Sequence, residues 1–392
     1  MKNAGRSTRA LWAGEEEPHA YGAAQMPLVP AISFGYETVE EWRDVALMKR
    51  PGHIYSRNTN PTVALLEEKV RSLEEAEAAV SFSSGMAAIS NTLYSLVKPG
   101  ERVVSITDTY GGTNRVFVEF LPKIGVEVTL VSTDDEAGIL EEIAKGCRLL
   151  YLETPTNPTL KVVDIAKLAA VGKAVGAIVV TDNTVATPIN QNPLALGSDL
   201  VIHSASKFLC GHGDALGGIL CGTKELVRHV YEYREINGAV LEPFSAYLIA
   251  RGLKTLSLRV ERHNSNAMTV ACFLENHAAV EHVFYPGLES NAGHAVAREQ
   301  MRGFGGMLSF TLREGLEVAA VMERLKLAHR AASLGHVETF AGIPATTSHV
   351  ECTAEQRAAM GITERLIRYS VGIEDVSDLV GDLGQALVGS SV

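Results

Sequence analysis

The sequence predicts an α/β protein, with a mostly parallel sheet covered by helices and a smaller α/β C-terminal domain after it. Three observations carry this reading. Apolar runs of strand length alternate with helical segments from about residue 79 to residue 202. Several of those runs end in clusters of small and polar residues, as loops do at the edge of a parallel sheet. Beyond residue 250 the pattern changes to helices with shorter strands. The implied organisation is an arm over 1–58, a main domain over 59–250 and a C-terminal domain over 251–392.

Taken in order, the arm holds Pro18, Pro27 and Pro30, many small residues and one amphipathic stretch over 38–48. The segment GHIYSRNTNPT, residues 52–62, is polar and turn-rich and opens a helix at Pro61 or Thr62. That helix, over 63–76, carries its apolar residues at Val63, Leu65, Leu66, Val70 and Leu73. Residues 79–82 read as a strand running into Ser83-Ser84-Gly85-Met86, where an Ala-rich helix begins. Free N–H groups and the helix dipole make such an opening an anion site, although many plain strand-to-helix turns look the same. Strands follow at 102–106, 126–131, 149–152, 177–182 and 200–202, with helices at 114–121, 139–144 and 163–175. The pattern loosens over 225–237, a long helical passage starts over 246–259, and strands return at 307–312 and 366–371.

With 46% hydrophobic and 21% charged residues the chain has ordinary soluble globular composition. Its net charge of -11 argues against a general nucleic-acid or anionic-membrane binder. No window approaches the roughly 20 apolar residues that span a bilayer. The N-terminus has no apolar core of signal-peptide type and carries an acidic run at 15–17. Five cysteines, at 147, 210, 221, 272 and 352, show neither CxxC nor metal-ligand spacing, and their odd number suggests no disulfide framework. A cytoplasmic, thiol-reduced protein without nucleic-acid or membrane partners is expected.

The chemistry centres on Lys207. It follows an apolar run and the hydroxyl residues Ser204 and Ser206, and it precedes Gly211, Gly213, Gly217 and Gly218. An unpaired ammonium is costly to bury, whereas an amine that attacks a carbonyl gives up that charge in a Schiff base. A plain surface lysine fits this stretch alone equally well. Asp182, at the end of the run 177–182, adds a buried carboxylate that needs a cationic partner. A protonated pyridine nitrogen is such a partner, and a lysine imine and an acid opposite the ring nitrogen occur together in pyridoxal phosphate sites. One strand and its connection separate the two residues, so both fit one edge of a parallel sheet. Tyr55 and Arg57, two apart on an extended chain, suit a shared phosphate, or else belong incidentally to a helix cap. Arg368 sits in a half-apolar strand and wants a carboxylate, from a salt bridge or a ligand. His203 and His212 with Asp214 have metal-ligand chemistry, but Lys207 lies between them and a packed His203 is the simpler reading.

On these residues the sequence resembles the pyridoxal phosphate (PLP)-dependent enzymes of cysteine and methionine metabolism, typified by cystathionine γ-synthase and its γ-lyase relatives. The resemblance runs from about residue 20 onward, through YSR-x-x-NPT, SSGMAAI, DTYGGT, ETPTNP, TDNT, HSASK, SLG and RYSVGIED. It implies an aminotransferase-like PLP fold of type I and pyridoxal 5'-phosphate as cofactor. It implies Lys207 as the covalent attachment point and proton carrier, Asp182 beside the ring nitrogen, and Tyr110 stacked on the ring and assisting the γ-leaving group. Asn157 then contacts the ring hydroxyl. Gly85, Met86, Ser204 and Ser206 join the cofactor site, and Tyr55 and Arg57 reach the phosphate of the neighbouring subunit. Ser333, Leu334 and Arg368 are implied to bind the substrate, an amino acid. A homotetramer built from dimers with shared sites is implied as well.

The implied reaction is γ-replacement on an activated homoserine, an O-acyl-homoserine taking a thiol, sulfide or another small nucleophile. A γ-lyase acting on methionine, cystathionine or a non-sulfur analogue such as canavanine is the alternative. A non-catalytic aminotransferase-like binding module is the reading from another class, opposed by the filled chemical positions. Three departures bear on the choice. Ile54 stands where cystathionine-specific relatives have an acid, Gly112 where methionine γ-lyases have a cysteine, and His336 where SLGG loops have glycine.

Overall fold

Two sheets, one of seven strands and one of five, organise the described part of the chain. The computed structural model describes residues 4–16, 19–347, 349–350 and 353–388; Glu17, Pro18 and Cys352 lie outside them. The larger sheet comprises β1 (Ala78–Phe82), β2 (Arg102–Ile106), β3 (Glu127–Val131), β4 (Leu149–Glu153), β5 (Ile178–Asp182), β6 (Leu200–Ser204) and β7 (Gly218–Gly222). Its order is β1-β7-β6-β5-β4-β2-β3. Only the pairings of β7 are antiparallel, so six strands share one direction and end at one edge. Helices cover both faces. Leu149, Tyr151, Val180 and Ile202 pack with Phe117 on one side, while Leu150, Leu152 and Val179 pack with Ile139 and Leu168 on the other. Burial on both faces is why these strands read as unbroken apolar runs.

The smaller sheet comprises β8 (Val280–Phe284), β9 (Met307–Leu312), β10 (His329–Arg330), β11 (Phe340–Gly342) and β12 (Leu366–Ser370), in the order β10-β11-β12-β9-β8. The helix Leu256–Glu275 ties it to the larger one. From that helix Arg259 donates to Phe208 O at 2.7 Å, just past Lys207, and His263 Nδ1 donates to Val371 O at 2.7 Å, just past β12. The arm is pinned by a buried pair: Lys69 Nζ lies 2.7 Å from Glu15 and donates to Leu11 O at 2.8 Å.

Local signals place the elements near the site. Asn60 Oδ1 accepts from Thr62 N at 2.9 Å and Pro61 opens the helix Pro61–Glu74, which stops where Glu75 turns left-handed at φ 59°. Ser84 Oγ accepts from Ala87 N at 3.1 Å and opens the helix Gly85–Leu96.

Four elements differ from the sequence expectation. The helix expected over 114–121 starts earlier, as Gly111–Arg115, and continues through a π-helical turn, Val116–Phe120. The loose stretch after residue 224 is a regular helix, Lys224–Asn237, capped by Thr223. Its buried row includes Arg234 beside Val227 and Val230, and that buried charge masks the apolar period. The helical passage begun at 246 is two helices, Pro243–Leu253 and Leu256–Glu275, in place of one. Strand β7 hides in a glycine-rich stretch: a Cβ on Gly218 would lie 2.1 Å from Ser84 O, so only glycine lets this strand pass beneath the Ser84 turn.

Candidate active site

Where β4, β5 and β6 end, their last residues face a cavity of about 870 Å³, closed on its far side by the Ser333 loop and Arg368 of the smaller sheet. This is the carboxyl edge of a parallel sheet, where α/β proteins collect ligands. Lys207, Asp182, Tyr110, Asn157, Ser204, Ser206, Gly85, Met86, Ser333, Leu334 and Arg368 all line it. Residues up to 283 positions apart in sequence, Gly85 and Arg368, thus meet at one place.

Lys207 sits one turn past β6, with its Nζ donating to Ser333 Oγ at 3.3 Å. Burial, with a smaller push from the Arg368 cation, brings its amine down from 10.5 to about 8. Asp182 closes β5 and is buried. It accepts from Thr184 N at 2.9 Å and from the Tyr151 hydroxyl at 3.4 Å. Burial raises its carboxyl above the usual range, partly offset by the Thr184 hydrogen bonds.

Arg368 is buried on β12, held by Asn157 Oδ1 at 3.1 Å from Nη1 and by Ser333 O at 2.9 Å from Nη2. Burial moves it from 12.5 to about 10, so it remains a cation at neutral pH. Asn157 thereby acts as a strut for Arg368 as well as a wall of the cavity.

The opening of the helix Gly85–Leu96 forms another wall. A Cβ on Gly85 would lie 2.8 Å from Ser204 Cβ and Oγ, so the glycine allows the helix start to seat directly on the end of β6. Gly85 and Met86 occupy first-turn positions, whose N–H groups have no acceptor within a helix. Ser206 Oγ pairs with the Gly217 backbone, accepting from its N at 3.0 Å. The Tyr110 ring lies at the mouth. Its backbone N donates to Glu153 at 2.8 Å, and a Cβ on Gly112 would meet the ring at 2.8 Å and Met86 Sδ at 2.9 Å.

Tyr55 and Arg57 do not line this cavity. They are exposed on the arm, the Arg57 guanidinium 5.2 Å from the Tyr55 ring centroid. Their loop is fixed by Ser56, whose Oγ donates to Ala31 O at 2.6 Å. Of the residues weighed as metal ligands, His203 is buried 2.6 Å from Glu74 Oε1, and His212 Nδ1 donates to Cys210 O at 2.8 Å. The two imidazoles serve separate partners.

Several lining residues escaped the sequence reading. Glu153 closes β4 in register with Asp182 on β5, and burial, with Asp182 beside it, holds its carboxyl well above the usual range. That position was legible, since both strands end in a carboxylate at the same edge. Arg115 and Glu119, at the mouth, pair at 3.0 Å and are four apart on one helical turn. His349 comes from a stretch without periodicity; burial, then the Arg368 cation, lowers it to about 4.

Comparisons with known proteins agree with this arrangement. Residues 7–388 match the family described as Cys/Met metabolism PLP-dependent enzyme. An L-methionine gamma-lyase of Fusobacterium nucleatum subsp. nucleatum is 42% identical over 391 residues, covering 99% of both chains. A cystathionine gamma-lyase of Bacillus subtilis is 43% identical over 358 residues, covering 91% of this chain and 94% of that one. Among solved structures, the cystathionine gamma synthase from Xanthomonas oryzae pv. oryzae, in complex with aminoacrylate and cysteine, superposes with a TM-score of 0.93 at 36% identity, covering 98% of each chain.

Proposed function

Because this chain belongs to the Cys/Met metabolism PLP-dependent enzymes, we propose that it uses pyridoxal 5'-phosphate in the cavity at the carboxyl edge of its larger sheet to replace the γ-substituent of an activated homoserine. The residues present fit the cofactor. An amine, a buried carboxylate touched only by neutral donors, and a helix opening face one space, as an aldehyde, a ring cation and a phosphate require. When bound, the cofactor supplies an electron sink for bonds broken at the substrate's Cα.

The chain's own residues supply the rest. Lys207 would hold the cofactor covalently and, once free, would move protons at the substrate's Cα and Cβ. With its value near 8, roughly a tenth of the free amine is neutral at pH 7, against less than about one in a thousand for an unshifted lysine. Asp182 keeps a proton on the ring nitrogen. Arg368, braced by Asn157 and the Ser333 carbonyl, offers its planar fork to the α-carboxylate. Tyr110, at the mouth, would pack against the cofactor's ring and assist the departing γ-group.

The observation that favours replacement of an oxygen-linked group is the mouth. Asn114, Arg115 and Glu119 line it, polar partners for an acyl ester or its carboxylate. Gly112 is seated so closely on Tyr110 and Met86 that the cysteine expected of methionine γ-lyases does not fit without displacing the ring. The γ-lyase reading keeps support from the 42% identity to a methionine γ-lyase. O-acetyl- and O-succinyl-homoserine with a thiol should give the γ-substituted product, scored by mass spectrometry. Without a nucleophile they should release 2-oxobutanoate and ammonia. Inert acyl-homoserines, beside rapid cleavage of methionine or canavanine, would replace this reading with the lyase.

We also infer a homotetramer of dimers in which Tyr55 and Arg57 serve the neighbouring subunit's site. Their exposure on the arm, away from their own cavity, supports this. Mixing Lys207→Ala with Arg57→Ala chains should restore activity, because the hybrid dimer keeps one site with both residues. Random pairing makes about half the dimers hybrid, hence recovery to about a quarter of wild type. No recovery after verified subunit exchange would place each site within one chain. Four described cysteines that are all free suit a cytoplasmic location.

A further inference from the structure

His336 is buried in the loop that closes the cavity, outside the set of residues that line it. Its Nε2 lies 2.8 Å from Ser333 Oγ, the same oxygen that accepts from Lys207 Nζ at 3.3 Å. Its ring is held on two sides. Phe340 packs edge-on with centroids 4.5 Å apart, and a Cβ on Gly213 would come within 2.8 Å of Cε1 and Nδ1. The imidazole therefore has one orientation, aimed at the serine.

The charged and titratable groups around it are Lys207, Glu338 on its own loop, Asp214 on the loop after Lys207, His329 on β10 and His263 on the helix Leu256–Glu275. Burial, then the Lys207 charge, lowers its pKa below the ordinary histidine value. Neutral at physiological pH, the imidazole can take the serine's hydroxyl hydrogen at Nε2. The serine oxygen then keeps its lone pairs for Lys207. A serine without that partner is free to turn its hydrogen toward the amine and occupy the lone pair that a base needs.

We propose that His336 is a positioning residue: by accepting the hydroxyl hydrogen of Ser333, it holds the serine oxygen as a fixed acceptor for Lys207 and so keeps the amine oriented for proton transfer. This rests on Lys207 as the mover of the α-proton, and not on whether replacement or elimination follows. Protonating His336 reverses the chain, because Nε2 then donates to Ser333 and the serine's hydrogen swings to Lys207. An acid-side loss of proton transfer follows, below the ordinary histidine pKa.

The test is α-hydrogen exchange of L-2-aminobutyrate in deuterium oxide, followed by NMR on the holoenzyme, since this amino acid has no γ-group to lose. His336→Leu should lower the saturated exchange rate about tenfold with half-saturation unchanged. His336→Gln, whose amide oxygen accepts the same hydrogen, should restore most of that loss and move the acid limb to lower pH. Neutron diffraction of the cofactor-free protein near neutral pH should find hydrogen on Nδ1, none on Nε2, and the Ser333 hydrogen directed at Nε2. Hydrogen on Nε2, a wild-type rate in His336→Leu, or an unmoved acid limb in His336→Gln would each overturn the proposal alone. A wild-type enzyme that exchanges no α-hydrogen would overturn it together with the role of Lys207.

Discussion

Lys207→Ala should lower turnover of every γ-substituted amino acid by at least about a thousandfold. The size follows from the two jobs proposed for one side chain, anchoring the cofactor and carrying the protons. Among the described residues no other lysine lines the cavity to take over. Lys161, which follows the ETPTNP loop, is engaged by Asp134 at 2.6 Å and Asp108 at 3.4 Å and does not line the cavity. The variant should still fold, since removing a partly desolvated ammonium leaves only the Ser333 contact unmade. Steady-state rates beside unchanged circular dichroism check both statements. A variant retaining more than a few per cent of wild-type turnover would mean that another group moves the protons.

Asp182→Asn should lower turnover by about 10²–10³-fold, because it removes the buried charge proposed to stand opposite the ring nitrogen. Its effect on stability has the opposite sign. Burial raises this carboxyl in the folded protein, so folding favours the protonated form. That favourable contribution is complete below the unfolded value of about 3.9 and is lost as pH rises through the folded value. Asparagine keeps an oxygen for Thr184 N without a charge to desolvate. Cofactor-free Asp182→Asn protein should therefore melt above wild type at neutral pH, with the difference closing as pH falls toward about 4. Lower melting at neutral pH would mean that the carboxylate is paired in the cofactor-free protein.

Most of the site was legible because its residues punctuate strands. Asp182 and Lys207 stand at or just beyond the ends of apolar runs, and a parallel sheet brings such ends to one edge. Arg368 was legible as a guanidinium where a strand should be apolar. What escaped lies where the burial period fails. Strand β7 is bounded by glycines chosen for close approach to Ser84 and Asp199, so it reads as a turn. The helix Lys224–Asn237 buries Arg234, which donates to Ser81 O at 2.8 Å and to Asn58 O at 2.8 Å, so a buried charge stands in a row expected to be apolar. In the sequence His336 reads only as a departure from glycine. Its contact with Ser333 depends on how the loop folds over Gly213, which no spacing encodes.

Borohydride reduction of the holoenzyme, followed by peptide mapping, tests the central assignment most directly. The reduced cofactor should be found on the peptide containing Lys207, and the Lys207→Ala protein should carry no label. Label on Lys161 or any other lysine, or imine absorbance persisting in Lys207→Ala, would contradict the placement of the chemistry at the ends of β5 and β6.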